Sequence, residues 1–188
     1  MYNVYRNIYA WDNGHGGFDD RGSDISQIEQ CYNIYDNLQC WDNGGHGIDI
    51  AHQKGGILSN SFSRGNGARG IRLLNTEGFD VHDCSATLNG SEGFKISLSS
   101  GNTNLTNVIV KNNRYGISLD GCNNIIFTSC QSYDDRDTPL QDYGLKLYDI
   151  NTGISLLNCK LSPNKNGEIY NPNGVAINVI TEKMLAKF

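Results

Sequence analysis

Gly70-Ile71-Arg72-Leu73, Gly93-Phe94-Lys95-Ile96 and Gly116-Ile117-Ser118-Leu119 are three copies of one pattern, spaced 23 residues apart in a chain of 188. The pattern extends upstream to Gly17-Phe18-Asp19 and Gly47-Ile48-Asp49-Ile50. Downstream it continues to Gly144-Leu145-Lys146-Leu147 and Gly167-Glu168-Ile169-Tyr170. Successive glycines lie 30, 23, 23, 23, 28 and 23 residues apart. A fixed period of this length marks a repeat architecture, because one such unit cannot bury its apolar face alone and must stack on the next. The first two repeats still match closely: Tyr2-Asn3-Val4-Tyr5 answers to Tyr32-Asn33-Ile34-Tyr35, and Trp11-Asp12-Asn13-Gly14 to Trp41-Asp42-Asn43-Gly44.

Within each segment the side chains alternate with period 2. Phe18, Ile48, Ile71, Phe94, Ile117 and Leu145 follow the glycine, and Ile50, Leu73, Ile96, Leu119 and Leu147 stand two places further on. Those columns point inward as strands of a stacked core. The intervening column, Asp19, Asp49, Arg72, Lys95, Ser118 and Lys146, points outward. Four residues before the glycine stands an asparagine: Asn13, Asn43, Asn66, Asn89 and Asn112, with Asp135 in an enlarged coil and Asn164 in a shortened last one. Asparagine tolerates a left-handed backbone and bonds neighbouring peptide groups, so a stacked row of them suits a tight corner.

Strand-turn-strand coils of this length with an asparagine ladder resemble the right-handed parallel β-helices of the pectate-lyase-like superfamily. The resemblance implies an all-β, right-handed, single-stranded parallel β-helix of about seven coils over residues 1–180, with a short C-terminal cap at 181–188. The chain enters a repeat at Tyr2 without a capping element. The expectation is therefore the C-terminal part of a longer β-helix, its N-terminal end covered by upstream coils or another subunit.

Composition narrows the partners. The net charge is -5, which argues against nucleic acid. No run approaches the ~20 apolar residues of a membrane span, and no signal peptide precedes the first coil. Six cysteines (31, 40, 84, 122, 130 and 159) invite disulfides, yet Cys84, Cys130 and Cys159 share an inward column with Ile8 and Leu38. Buried, reduced cysteines acting as small hydrophobes are the expectation. The location expected for such a module is extracellular, cell-surface or virion.

The outward column and its neighbours carry the candidate chemistry. Asp19, Asp20 and Asp49 are candidate metal ligands, because carboxylates on adjacent rungs can share a calcium ion. Lys95, Arg72 and His46 are candidate catalytic residues, since a lysine beside other cations loses its proton more readily and can act as a base. Arg69, Glu92, Tyr115, Tyr143 and Lys146 are candidate substrate contacts, joined by Trp11 and Trp41, which stand outward one above the other. Enlarged corners at Arg21–Gln30 and Asp134–Asp142 flank this face, where insertions in solenoids are commonly functional.

Three resemblances give this face a chemistry. Asn89-Gly90-Ser91-Glu92-Gly93-Phe94-Lys95 is similar to the lysine segment of calcium-dependent pectate lyases, and Gly17-Phe18-Asp19-Asp20 with Asp49 to their calcium side. Gly17-Phe18-Asp19 and His46-Gly47-Ile48-Asp49 resemble the Tyr-Gly-Phe-Asp-Pro-His strand of mannuronan C5-epimerases, with Gly16 and Arg21 in place of its tyrosine and histidine. Gly45-His46-Gly47 and Gly70-Ile71-Arg72-Leu73-Leu74 resemble polygalacturonase-like hydrolases, with leucine for the expected lysine. These resemblances imply an acidic (uronate) polysaccharide as partner, Ca2+ as cofactor, and C5-proton abstraction by a lyase or epimerase. An inverting hydrolase is one alternative, and a non-catalytic phage-tail, adhesin or cell-surface module is the other.

Overall fold

Seven parallel strands stack into one wall: Phe18–Arg21, Ile48–Ala51, Ile71–Leu74, Glu92–Ser97, Tyr115–Asp120, Tyr143–Tyr148 and Gly167–Tyr170. They belong to a computed structural model that describes residues 2–22, 29–98 and 100–181, apart from the side chains of residues 29–31. A second wall stacks Gln53–Ser59, Glu77–His82, Gly101–Thr106, Asn123–Thr128, Thr152–Leu157 and Ile177–Ile180 beneath the long strands Val4–Trp11 and Glu29–Trp41. A third, narrower wall continues from the ends of those long strands through Phe62–Arg64, Ser85–Thr87, Ile109–Lys111 and Gln131–Tyr133. The described chain is a β-solenoid of about six turns, without a helix. Most of the first enlarged corner and the 182–188 segment lie outside the described residues.

The corners explain the composition. The bend between the second and third walls is left-handed in every coil, at Asn7, Asn37, Asn60, Asp83, Asn107, Ser129 and Asn158, with φ from 48° to 57°. Asparagine and aspartate dominate because their short polar side chains reduce the strain of that conformation. A second left-handed column, Asp12, Asp42, Gly65, Leu88 and Asn112, precedes the charged wall.

The asparagine ladder follows immediately, with one correction to the sequence reading. Each side-chain amide donates to the carbonyl oxygen of the next: Asn13 to Asn43 (2.8 Å), Asn43 to Asn66 (2.9 Å), Asn66 to Asn89 (2.9 Å) and Asn89 to Asn113 (3.0 Å). The fifth member is thus Asn113, not Asn112, which instead occupies the left-handed corner and pairs with Asp135 at the surface. Gln141, not Asp135, carries the row onward: it accepts from the Asn113 N–H (3.2 Å) and donates to Asn164 (2.8 Å). The reason is local geometry. In that coil the stretch between corner and strand is one residue shorter, and a longer side chain bridges the enlarged coil below it.

The ladder also dictates the repeat glycine. A Cβ on Gly70 would lie 2.6 Å from the Asn89 amide nitrogen, and one on Gly93 would lie 2.4 Å from that of Asn113. No side chain fits there without breaking the row. In the last coil the register pairs Gly167 with Tyr143 and Tyr170 with Lys146, so Gly167 stands one place before the repeat position.

The inward columns form the core as expected. Ile48, Ile50, Ile71, Leu73, Phe94, Ile96, Ile117, Leu119, Leu145 and Leu147 are buried, while Phe18 in the first rung is half-buried. Cys84 and Cys130 are buried and Cys159 half-buried; none of the described cysteines is bonded to another. Burial pushes the Cys40, Cys84 and Cys122 thiols up to about 12, where thiolate chemistry is closed at neutral pH. Trp11 and Trp41 stack with ring centroids 5.1 Å apart, continued by Phe62 at 6.1 Å, and they lie on the third wall rather than the charged one.

Candidate functional site

The outward column of the seven-stranded wall is in register, so Asp19, Asp49, Arg72, Lys95, Ser118, Lys146 and Tyr170 are vertical neighbours. A parallel column on one side reads His46, Arg69, Glu92, Tyr115 and Tyr143; on the other side it reads Leu74, Ser97, Asp120 and Tyr148. Rungs about 4.8 Å apart bring long side chains of neighbouring coils into contact. Asp49, Ser118 and Lys146 are buried beneath those neighbours although their backbone faces outward.

The upper half of this wall is saturated. Asp49 accepts from Nε of Arg72 (2.7 Å), from the Arg72 terminal nitrogen, and from Nη2 of Arg21 (2.8 Å). Arg21 also donates through Nε to Asp19 (2.7 Å). Both carboxylates are therefore matched by guanidinium groups. Asp20 points the opposite way, its Oδ2 accepting from the Tyr35 hydroxyl at 2.7 Å within a buried cluster that includes Asn33 and Gln53. The three aspartates do not converge, and no group of His, Cys, Asp and Glu suited to a metal exists among the described residues. This donor set does not fit calcium, because the ion would have to displace two guanidinium groups from Asp49. Asp19 and Asp20, on opposite faces of one strand, also cannot serve as the facing carboxyl pair of an inverting hydrolase.

His46 stands at the edge of the saturated half. Its Nδ1 accepts from the Arg69 backbone N–H (3.3 Å), and its Nε2 lies 3.5 Å from the Arg69 guanidinium. Burial, reinforced by the positive charges of Arg72 and Arg69, lowers its pKa below the ordinary imidazole value. His46 is thus neutral at neutral pH, and with Nδ1 accepting from the Arg69 N–H its ring proton sits on Nε2.

The middle rungs hold Glu92, which takes Ser91 Oγ at 2.6 Å, Arg69 Nε at 3.0 Å and Lys95 Nζ at 3.7 Å. Burial alone would raise its pKa, but the Ser91 hydroxyl, Arg69 and Lys95 outweigh it and hold the carboxyl below its ordinary value. Lys95 also reaches Asp120 at 3.4 Å. Its nearest charged partners are thus carboxylates, not the other cations that the sequence set beside it.

The lower rungs are aromatic. Lys146 Nζ lies 4.5 Å from the Tyr115 ring centroid, 5.1 Å from Tyr148, 5.4 Å from Tyr170 and 5.7 Å from Tyr143. Burial, which by itself lowers its pKa, is overcome by the Tyr148 hydroxyl and the Asp142 carboxylate, and the net shift is upward. The enlarged corner beside these rungs is pinned from within. Asp134, fully buried, accepts from the backbone N–H groups of Leu140 and Gln141 (2.7 Å each) and pairs with Arg136.

Of the residues singled out from sequence, Asp19, Asp49, Arg72, His46, Arg69, Glu92, Lys95, Tyr115, Tyr143 and Lys146 come together on one wall. Asp20 faces inward, and Trp11 and Trp41 stand on another wall. Asp120, Tyr148 and Tyr170 belong to the site and were missed. Extending the period-2 alternation two more residues along each strand places Asp120 and Tyr148 outward. Tyr170 was hidden by the one-residue offset of the last coil.

This architecture has a family. The chain belongs to the right-handed β-helix region family, whose model matches residues 25–183. Among solved structures it is similar to the A-modules of the Azotobacter vinelandii mannuronan C-5 epimerases AlgE4 (TM-score 0.60) and AlgE6 (TM-score 0.62). Identity is 15% in both; the alignments cover 94% and 96% of this chain, and the chain spans 58% of each module. Comparison with curated proteins gives no match. At this identity the likeness concerns the fold.

Proposed function

We propose that this β-helix recognises an acidic, uronate-containing polysaccharide laid across the seven-stranded wall. The observation that carries the reading is the in-register column Arg72, Lys95 and Lys146, in which Arg72 is balanced by Asp49 and the two lysines meet carboxylates only loosely, flanked by Tyr115, Tyr143, Tyr148 and Tyr170. Cations at rung spacing suit the repeating carboxylates of such a chain, and tyrosine rings offer apolar faces with polar rims to sugar units. The likeness to mannuronan C-5 epimerase modules supports the same substrate class. Such polymers are met outside cells or on their surfaces, which is where this reading places the chain.

The chemistry the wall suits is proton abstraction at a uronate C5. A carboxylate held by Arg69 has its charge neutralised, which acidifies the neighbouring C–H. The neutral imidazole of His46 beside Arg69 takes that proton at Nε2 in the tautomer that carries its own proton on Nδ1, which requires the 3.3 Å contact with the Arg69 N–H to open. Loss of the 4-O substituent then gives a lyase product; reprotonation from the other face gives the epimer. Recognition without turnover is the second reading, favoured by the mutual neutralisation of Asp19, Arg21, Asp49 and Arg72.

Electrophoresis of the protein through gels containing alginate, polygalacturonate or neutral dextran tests recognition. Retardation by the two acidic polymers and not by dextran is expected; equal mobility in all three refutes it. Incubation with the same polymers, followed by product absorbance and NMR, separates the two readings. Unsaturated or epimerised product lost in His46→Gln supports C5 chemistry, and unchanged polymer leaves recognition alone.

A further inference from the structure

The floor of the lower wall contains a buried hydroxyl with no partner. Ser118 lies in register between Lys95 on the coil before it and Lys146 on the coil after it. Its side chain is fully covered, yet Oγ has no hydrogen-bond partner. The other buried polar atom in that position among the described residues, Arg69 Nε, is at least ion-paired to Glu92 at 3.0 Å. Leaving a buried hydroxyl unpaired is unfavourable, and such a group asks for an explanation. Here the groups around it supply one.

The lysines on the rungs either side of Ser118 reach toward one ring. Their ammonium groups stand 6.0 Å (Lys95) and 5.1 Å (Lys146) from the same Tyr148 ring centroid. Neither is committed to a tight carboxylate pair: Lys95 meets Asp120 at 3.4 Å and Glu92 at 3.7 Å, and Lys146 meets Asp142 at 3.9 Å alongside the Tyr148 hydroxyl. Charge-assisted hydrogen bonds are normally about 2.7–2.9 Å long, the range Asp49 shows higher up the same wall. Arg21 and Arg72 are held at that length by Asp49, whereas no carboxylate holds either lysine so closely.

Resting on the uronate reading above, we infer that Lys95, Ser118 and Lys146 form the subsite for a single sugar carboxylate. The two flexible lysine stems part to admit it. The carboxylate then accepts from both ammonium groups and from the Ser118 hydroxyl, which gains its missing partner. Tyr115 and Tyr148 flank the sugar ring. The ligand is a monoanion: Glu92, Asp120 and Asp142 surround the lysines with enough negative charge to disfavour a dianion such as inorganic phosphate. The subsite lies three rungs from that of His46, so it holds a different unit of the polymer from the reacting one.

Calorimetric titration of the wild-type protein with galacturonate and mannuronate oligomers, their methyl esters, and inorganic phosphate tests this without altering the fold. The acids are expected to bind about tenfold more tightly than the esters, the loss corresponding to charge-assisted hydrogen bonds, and phosphate is expected not to displace them. Lys95→Met and Lys146→Met, which keep the apolar stems, should each weaken acid binding about tenfold, and Ser118→Ala a few-fold. Lys111→Ala, on the third wall, should leave it unchanged. Equal binding of acid and ester, or displacement by phosphate, overturns the subsite. So does wild-type affinity in all three site variants; if Arg72→Ala still abolishes binding in that case, the uronate reading survives without the subsite. Failure of every acidic oligomer to bind the wild type defeats both.

Discussion

A single asparagine side chain in this fold does the work of three partners. Asn89 Oδ1 accepts from both the backbone and side-chain nitrogens of Asn66, and its amide donates to Asn113 and to the Ser63 carbonyl. Asn89→Ala strands buried donors and acceptors on both neighbouring coils, and we expect a loss of about 2–3 kcal/mol in chemical denaturation. Asn112→Ala, one position into the exposed corner of the next coil, should cost far less. His46 makes the pH prediction at this scale. Its folded-state pKa is depressed, so the unfolded chain takes up the proton first as pH falls. Stability is therefore unaffected by this group above the ordinary imidazole value of about 6.5 and declines below it. His46→Gln should flatten that decline between roughly pH 7 and 5; an unchanged slope would remove His46 as the cause.

At the scale of elements, the enlarged corner before Tyr143 is held by one buried carboxylate. Asp134 lies well below the ordinary carboxylate range: burial opposes ionisation, but Arg136 and the N–H groups of Gln141, Leu140 and Arg136 outweigh it. Asp134→Asn leaves Arg136 without its counter-charge, and a loss of about 3 kcal/mol is expected, measured by urea unfolding. Because Gln141 is both tied to Asp134 and a rung of the ladder, the same variant should loosen the Tyr143–Tyr148 strand and weaken uronate binding. Wild-type stability would show that the corner is held by something else. Sequence made this corner visible as an insertion but not its wiring. Whether Asn112 or Asn113, Asp135 or Gln141 enters the ladder turns on a one-residue change in corner length, which spacing alone does not resolve.

Across the whole molecule, the period of 23 residues and its period-2 columns were enough to place the core and the charged wall, because each depends on backbone register alone. What the sequence could not show was which outward charges neutralise one another. Asp49 looked like a metal ligand until Arg21 and Arg72 were seen to claim its oxygens, and Lys95, expected beside other cations, has carboxylates as its nearest charged partners. Those pairings depend on rotamers, not register. The tryptophans make the same point at long range: Trp11 and Trp41 stack outward as expected, but on the third wall. Trp11→Ala should therefore leave uronate affinity within about twofold of wild type.

The most direct test of the account is a residue-resolved NMR titration with a galacturonate or mannuronate oligomer. Amide shifts confined to residues 69–72, 92–97, 115–120 and 143–148 are predicted. Shifts centred on the Trp11–Trp41–Phe62 wall, or none at saturating oligomer, would contradict it.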